Sequence, residues 1–432
     1  MTHKSDRMLS AANIARVEGE GAMHIHVLNG AVSEVQLQIY EPPRFFEAFL
    51  RGRAYTEPPD ITARICGICP VAYQMSACQA IEDACGAVVL EPIRRLRRLL
   101  YCGEWIESHA LHIFLLHAPD FLGYPSAIEM ARDHRALVER GLRLKKAGNT
   151  IMTMVGGRAI HPVNVRIGGF YRLPTVDELA TLRPLLVAAR EDALATVEDV
   201  ARFDFPDLEH DRPYVSLRTG QDYPIERGTI VSSVGLSFPA SRFDEHIVEE
   251  HVEYSTALHS RLHGHGPYLV GPLARYSLCS DLLHPLARQA AAAARLEATC
   301  RNPFRSIVVR AVELVEALDE AVRIIETWDG APSPAIEVRA RAATGYGVTE
   351  APRGLLYHRY TLAADGTIRD ATIVPPTAQN QASIEADLRA FVQPRLDLPT
   401  DELTRQCEQA IRNYDPCISC SAHFLDLTVE QL

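Results

Sequence analysis

Asp415-Pro416-Cys417-Ile418-Ser419-Cys420-Ser421-Ala422-His423 packs two thiols and an imidazole, all transition-metal ligands, into nine residues. Soft thiolates at this spacing can hold one metal, or share one sulfur between two metals. Two thiolates leave a metal site open, so the stretch needs a partner. That partner lies far upstream, in Arg64-Ile65-Cys66-Gly67-Ile68-Cys69-Pro70, where Gly67 permits a close backbone approach. Together the two CxxC pairs offer four thiolates. A closed structural zinc site, a single iron and a [4Fe–4S] cluster all fit that ligand count. Structural zinc pairs usually sit within a few tens of residues, because they hold small modules that lack a core. Separation by nearly the whole chain favours a buried reactive centre, but spacing alone does not choose the metal.

The chain around these motifs is ordinary for a globular protein. Its 432 residues are 47% hydrophobic and 23% charged, enough for a sizeable core. A formal net charge of -11 argues against non-specific nucleic-acid binding, which needs a basic face. No apolar run approaches the roughly 20 residues needed to span a bilayer. Met1 to Arg7 leads into no apolar signal region and holds no twin-arginine pair, so a cytoplasmic location is expected. Of the ten cysteines, Cys78, Cys85, Cys102, Cys279, Cys300 and Cys407 lie among apolar or helical neighbours and read as buried thiols.

Hydrophobic patterning predicts a mainly α fold with small peripheral β hairpins. Residues 23–28 and 32–39 alternate in polarity around Asn29-Gly30, a type I′ turn signal. Glu18, just before this hairpin, reads by itself as a solvated charge. Residues 44–53 suggest a short helix with Phe45, Phe46, Phe49 and Leu50 inward. Glu47 would then lie among aromatics and want a partner or a cation, unless it faces solvent. Helices are expected over 72–84, 92–117, 128–154, 177–202, 245–263, 282–329 (broken at Asn302-Pro303) and 382–414. His109, His112 and His117 have no CxxC beside them and read as core or supporting histidines. Residues 162–167 read as extended and 204–241 as a candidate peripheral lobe of short strands. A second hairpin, 355–362 and 368–374 around Asp365-Gly366, follows Arg353, which sits on a turn.

The two cysteine motifs strongly resemble those of the large, catalytic subunit of nickel–iron hydrogenases. The similarity extends to Arg16-Val17-Glu18-Gly19, Glu350-Ala351-Pro352-Arg353-Gly354 and Ile373-Val374-Pro375, so it runs from end to end. It implies that family's large-subunit fold as one domain over 1–432, with 1–63 a β-hairpin region. By position, Cys66 and Cys417 correspond to terminal nickel ligands. Cys69 and Cys420 correspond to ligands bridging nickel to an iron that carries carbon monoxide and cyanide. Cys417 would accept the proton left by heterolytic splitting of dihydrogen, Glu18 would relay it outward, and Arg353 would stand over the open metal face. Glu47 and His423, with the Thr372 carbonyl, match the ligands of a Mg²⁺ or Fe²⁺. Residues 424–432 match a tail removed by a maturation endopeptidase once nickel-insertion proteins have acted.

Three positions depart from many relatives. Tyr73 stands where a histidine is common, Ser108 where an aspartate is found in membrane-bound enzymes, and Pro376 where a hydroxyl meets a cyanide, with Thr377 one residue later. The runs 41–47 and 70–77 look most like the α subunit of NAD(P)-linked hydrogenases, or sulfhydrogenases. That likeness implies an iron–sulfur small subunit and flavin-bearing, NAD(P)-reducing subunits as partners. A dihydrogen-sensing subunit and a structural-zinc or thiol-redox protein are the alternatives.

Overall fold

The helix Pro70–Cys85 runs through the core, and nearly every one of its side chains is buried. Pro70 starts it, where a missing N–H costs nothing, and Gly86 ends it in the left-handed conformation (φ 65°). The strand Ala343–Ala351 lies directly on this helix. A Cβ on Gly347 would sit 2.2 Å from the Ser76 carbonyl oxygen, so only glycine allows the approach. Glu91–Leu111 packs beside the Pro70–Cys85 helix and carries Arg135–Gly156 and Ser306–Glu326, and Arg183–Val200 lies against those last two. The computed structural model describes residues 6–422. It is α-rich with small sheets, as the patterning predicts.

The first hairpin pairs Gly21–Leu28 with Ala31–Ile39, and positive φ at both Asn29 and Gly30 fits the type I′ turn. Arg7–Ala11 adds an unforeseen third strand. The second hairpin pairs Gly354–Leu362 with Ile368–Val374 and likewise gains a strand, Ala343–Ala351. The 204–241 stretch carries Val215–Arg218, Thr229–Ser232 and Ser237–Phe238 in one sheet. Its Val215, Leu217, Ile230 and Phe238 share an apolar cluster with Val348, Leu355, Tyr357 and Val374.

Several helices differ from the patterning. Residues 245–263 are not helical: Ile247–Glu250 and His259–Leu262 form an antiparallel pair. Ile247 and Leu262 are buried while Val248 is exposed, an alternation that tertiary packing selects over helical periodicity. The 128–154 prediction divides at His134 into Ala127–Asp133 and Arg135–Gly156, the first capped by the Ser126 hydroxyl. The 177–202 prediction divides into Val176–Ala180, with a Thr175–Glu178 capping box, and Arg183–Val200, which Pro184 restarts. The 382–414 prediction becomes Pro376–Val392 and Thr400–Arg412, interrupted at Pro394 and Pro399. From His112 to His117 the long 92–117 helix widens into a π turn. The 282–329 prediction becomes Pro285–Ala293 and Ser306–Glu326: the first helix stops well before Asn302-Pro303, with Arg295 left-handed (φ 53°), and only the short Pro303–Arg305 turn leading into the second falls at the predicted break.

The 44–53 helix shrinks to Phe46–Leu50 because Phe45 is left-handed (φ 54°). Five residues present a single face. Leu50 is buried and Phe46 touches the core, whereas Phe45 and Phe49 are 41% and 52% exposed. Only Val165–Arg166 of the 162–167 stretch is paired, with Gly169–Phe170.

Candidate metal centre

Both ends of the chain converge on one buried point. Cys69 caps the Pro70–Cys85 helix, which places Cys66 one loop earlier and turns the Ile68 and Cys69 amides onto its sulfur at 3.3 and 3.4 Å. Glu104 fixes that helix start, accepting from the Val71 and Ala72 amides at 2.6 and 3.2 Å. The second pair is delivered after Thr400–Arg412 through Asp415, whose positive φ (51°) turns the chain inward. The Cys417 amide donates to Thr377 Oγ1 at 3.0 Å.

All four thiols are buried, and their sulfurs lie within 4.8 Å of one another. Cys66 and Cys417 are 3.4 Å apart, Cys69 and Cys420 3.8 Å, and Cys417 and Cys420 2.8 Å. Two sulfurs on one metal at about 2.3 Å each can be at most about 4.6 Å apart, so the set matches thiolates gathered on a shared metal. Hydrogen bonds from Cys417 and the other thiols hold Cys66 well below the ordinary thiol range, with help from the Arg353 charge. Burial pushes Cys417 well above it. A dry pocket tolerates this much sulfur charge when a soft cation neutralises it.

Glu18 forms a short parallel bridge with Cys417: its carbonyl accepts from the Ile418 amide at 2.9 Å. Its Oε2 lies 3.1 Å from Cys417 Sγ and accepts from the Ser419 amide at 3.1 Å. The solvated-charge reading of Glu18 therefore fails, because the tertiary fold brings residue 417 against residue 18. Arg353 is buried, with Nε donating to the Asp415 carbonyl at 2.8 Å and Nη2 to its carboxylate at 3.2 Å. Burial works against its charge, but Asp415 and the thiolates of Cys417, Cys69 and Cys66 hold it firmly protonated.

Glu47 Oε1 accepts from the Ile373 amide at 2.6 Å, which sets it next to Thr372. The Thr372 hydroxyl accepts from Arg359 at 2.8 Å. Burial pushes the Glu47 carboxyl up to about 7, an environment that a bound cation would relieve. The Arg44 amide donates to the Ala422 carbonyl at 2.8 Å, so the chain reaches this carboxylate's neighbourhood as it leaves the centre. His423 and residues 424–432 lie outside the described residues.

Sequence reasoning missed several supports. Arg44 donates from one nitrogen to the Ile65 carbonyl (2.7 Å) and the Ser419 carbonyl, tying both CxxC segments together. Arg275 donates to the Ala351 and Pro352 carbonyls at 2.7 and 2.9 Å, and pairs with the buried Glu313 and Glu350. It thereby pins the segment that presents Arg353. No local pattern signals either arginine.

Of the departures, Tyr73 is buried, its ring 5.7 Å from His358, and among the described residues its hydroxyl meets no oxygen or nitrogen partner. Burial, then the charge of Cys420 and Cys69, pushes its phenol well up. Pro376 opens the Pro376–Val392 helix, while the Thr377 hydroxyl is taken by the Cys417 amide. His109, His112 and His117 are buried outside the thiol cluster, as expected. The six scattered cysteines are buried except Cys85, which is partly exposed.

Residues 44–140 and 245–423 match the family described as nickel-dependent hydrogenase. The chain belongs to that family. Among its relatives is the sulfhydrogenase 1 subunit alpha of Pyrococcus furiosus, 36% identical over 423 residues, with 96% of this chain and 97% of that protein covered. The sulfhydrogenase 2 subunit alpha of the same organism is 34% identical, with 95% and 98% covered. The crystal structure of an NAD⁺-reducing [NiFe]-hydrogenase in its H₂-reduced state superposes with a TM-score of 0.87 at 26% identity, over 96% of this chain and 99% of that one.

This hydrogenase chain is therefore the catalytic large subunit of a multisubunit nickel–iron enzyme acting on dihydrogen. Its four-cysteine cluster fits a nickel–iron centre. The structural-zinc and thiol-redox alternatives fall away. Among the described residues no helix is long and apolar enough to cross a membrane.

Proposed function

We propose that this subunit passes electrons from dihydrogen through an iron–sulfur small subunit and flavin-bearing subunits toward NAD(P). The names of its relatives support this acceptor: two are sulfhydrogenase α subunits and one is an NAD⁺-reducing hydrogenase. Cys66, Cys69, Cys417 and Cys420 would hold the nickel, and Cys69 and Cys420 would also hold an iron carrying carbon monoxide and cyanide. When bound, that centre supplies the heterolytic splitting of dihydrogen.

The chain's own residues handle the proton and the electrostatics. Cys417 holds the proton at Sγ, and Glu18 Oε2, 3.1 Å away, takes it outward. This is hydrogen-bond distance for a thiol, as a general acid–base step requires. Arg353 acts as a fixed cation beside the thiolates and not as a base, since its surroundings keep it protonated. Asp415 sets its orientation through two contacts. Glu47, the Thr372 carbonyl and His423 would hold a Mg²⁺ or Fe²⁺, whose charge would relieve the buried Glu47 carboxylate. Nickel-insertion proteins and an endopeptidase that removes 424–432 complete the subunit in the cytoplasm. Active enzyme ending at His423 by mass spectrometry is the expected result, and retention of Leu432 would contradict it.

One observation carries the reading: four buried sulfurs within 4.8 Å, with the Glu18 carboxylate against one of them. Metal analysis and infrared spectroscopy of the purified complex test it. Nickel, iron and bands of iron-bound carbon monoxide and cyanide are expected. Nickel-loaded enzyme without those bands would refute the centre. A complex that binds dihydrogen but does not turn over pyridine nucleotide would indicate a sensor.

A further inference from the structure

Asp387 is a buried carboxylate on the helix Pro376–Val392, outside the thiol cluster. Among the described residues it accepts from three side chains: His210 Nδ1 at 2.8 Å, Arg212 Nη1 and the Tyr414 hydroxyl. A buried charge is tolerated only when it is paired and hydrogen-bonded, and Arg212 supplies the opposite sign. The His210 ring is itself fixed, stacked on Tyr214 with centroids 5.2 Å apart. Its amide donates to the Arg301 carbonyl at 2.8 Å. Held from these directions, the carboxylate is a rigid acceptor for Tyr414. Burial and the Asp387 charge push the Tyr414 phenol well up, so it stays protonated and donates.

Tyr414 immediately precedes Asp415, whose φ of 51° is left-handed. A residue other than glycine keeps that conformation only where its surroundings over-determine it. On one side the Asn413 carbonyl accepts from Ser306 Oγ at 2.8 Å and from Arg310 Nη1 at 3.0 Å. On the other, Pro416 stiffens the link to Cys417, whose amide donates to Thr377. Thr377 and Asp387 stand ten residues apart on one helix, about 15 Å along its axis. The three links from Tyr414 to Cys417 reach about 11 Å at full stretch, so two such grips leave them little slack.

We propose that Asp387 is a positioning residue for the dihydrogen reaction: through the Tyr414 phenol it holds the Asp415 turn that aims Arg353 at the thiols. This role rests on the reading of the thiol cluster as the site where dihydrogen is split, with Arg353 its fixed cation. Arg353 Nε and Nη2 both end on Asp415, at 2.8 and 3.2 Å. A shift of the Asp415 turn therefore moves the guanidinium as a whole, along with the peptide that leads to Cys417. Misplacing a reacting or guiding group by about 1 Å costs up to about 10²-fold in rate.

Tyr414→Phe in the intact complex removes one hydroxyl and keeps the ring. Hydrogen uptake in Y414F should fall about ten- to hundredfold, with nickel content and the infrared bands of iron-bound carbon monoxide and cyanide retained. Arg353→Lys keeps a cation but loses the fork that Asp415 aims, and uptake should fall there too. In the double variant Y414F/R353K the loss should equal that of R353K alone, because the aim is already gone. Losses that multiply would overturn the proposal and make Tyr414 a general support of the fold. Unchanged uptake in Y414F would overturn it as well. Unchanged uptake in R353K would overturn the reading of Arg353 on which the role depends. Should Y414F fail to load the centre, Asp387→Asn serves in the same cycle with the same expectation.

Discussion

Replacing Arg275 by methionine (R275M) removes the cation that two buried carboxylates share. Arg275 donates from Nε and Nη2 to Glu313 at 3.0 and 2.9 Å, and from Nη1 to Glu350 at 3.0 Å. Burial alone would push Glu313 up, but Arg275 and His109 bring it down to about 2 from 4.5. That depression corresponds to about 3 kcal/mol of charge stabilisation. Breaking a buried pair by removing one partner costs about 3–5 kcal/mol by general experience, in agreement. With an unfolding entropy of about 0.9 kcal/mol/K for a chain this long, the melting temperature should fall by roughly 3–6 °C.

The sign of the pH dependence is fixed by the same groups. In the native protein the Glu313 contribution is complete above pH 4.5 and is lost as pH falls through about 2. In R275M Glu313 keeps its contacts with Tyr223 and His109, and Glu350 keeps the Leu217 amide, but neither carboxyl retains the guanidinium, so burial favours their protonated forms. Stability of the variant then declines as pH rises, and the gap to the native protein widens from pH 5 to pH 8. Because Arg275 also pins Ala351 and Pro352, turnover should fall along with stability. Differential scanning calorimetry across that pH range, with hydrogen-uptake assays, measures both. A pH-independent loss below about 1 kcal/mol would show that Arg275 does not hold this network together.

Glu18→Gln keeps an oxygen for the Ser419 amide but loses the proton acceptor, so turnover should drop about 10²–10⁴-fold with infrared bands unchanged. Native turnover in that variant would remove Glu18 from the proton path. Thr377→Val leaves the buried Cys417 amide without its acceptor and should cost about 1–3 kcal/mol, read as a lower melting temperature, while Thr377→Ser should not. Arg44→Met unties the Ile65 and Ser419 carbonyls, and elemental analysis should find nickel occupancy reduced; full occupancy would mean that the thiols need no such clamp.

Much of the helical framework was legible because its signals are local. Pro70 and Gly86 mark a helix start and stop, and Asn29-Gly30 sets a hairpin. The four cysteines declare themselves by spacing. The 245–263 segment was misread because its apolar residues suit either period, and the choice rests with Val215, Leu355 and Tyr357, distant in sequence. The strands Arg7–Ala11 and Ala343–Ala351 were missed because an edge strand takes its identity from its neighbour.

The site divides along the same line. The sequence by itself determined the thiol ligands and, through the family resemblance, the chemistry they serve, because side-chain identity and short spacing set what a ligand can bind. Only the tertiary structure decided that Glu18 meets Cys417, that Arg44 ties both motifs, that Asp415 orients Arg353 and that Arg275 supports the turn beneath it. Those contacts join residues from about twenty to nearly four hundred positions apart. Their energies come from burial and from paired charge, which exist only once the chain has closed around them.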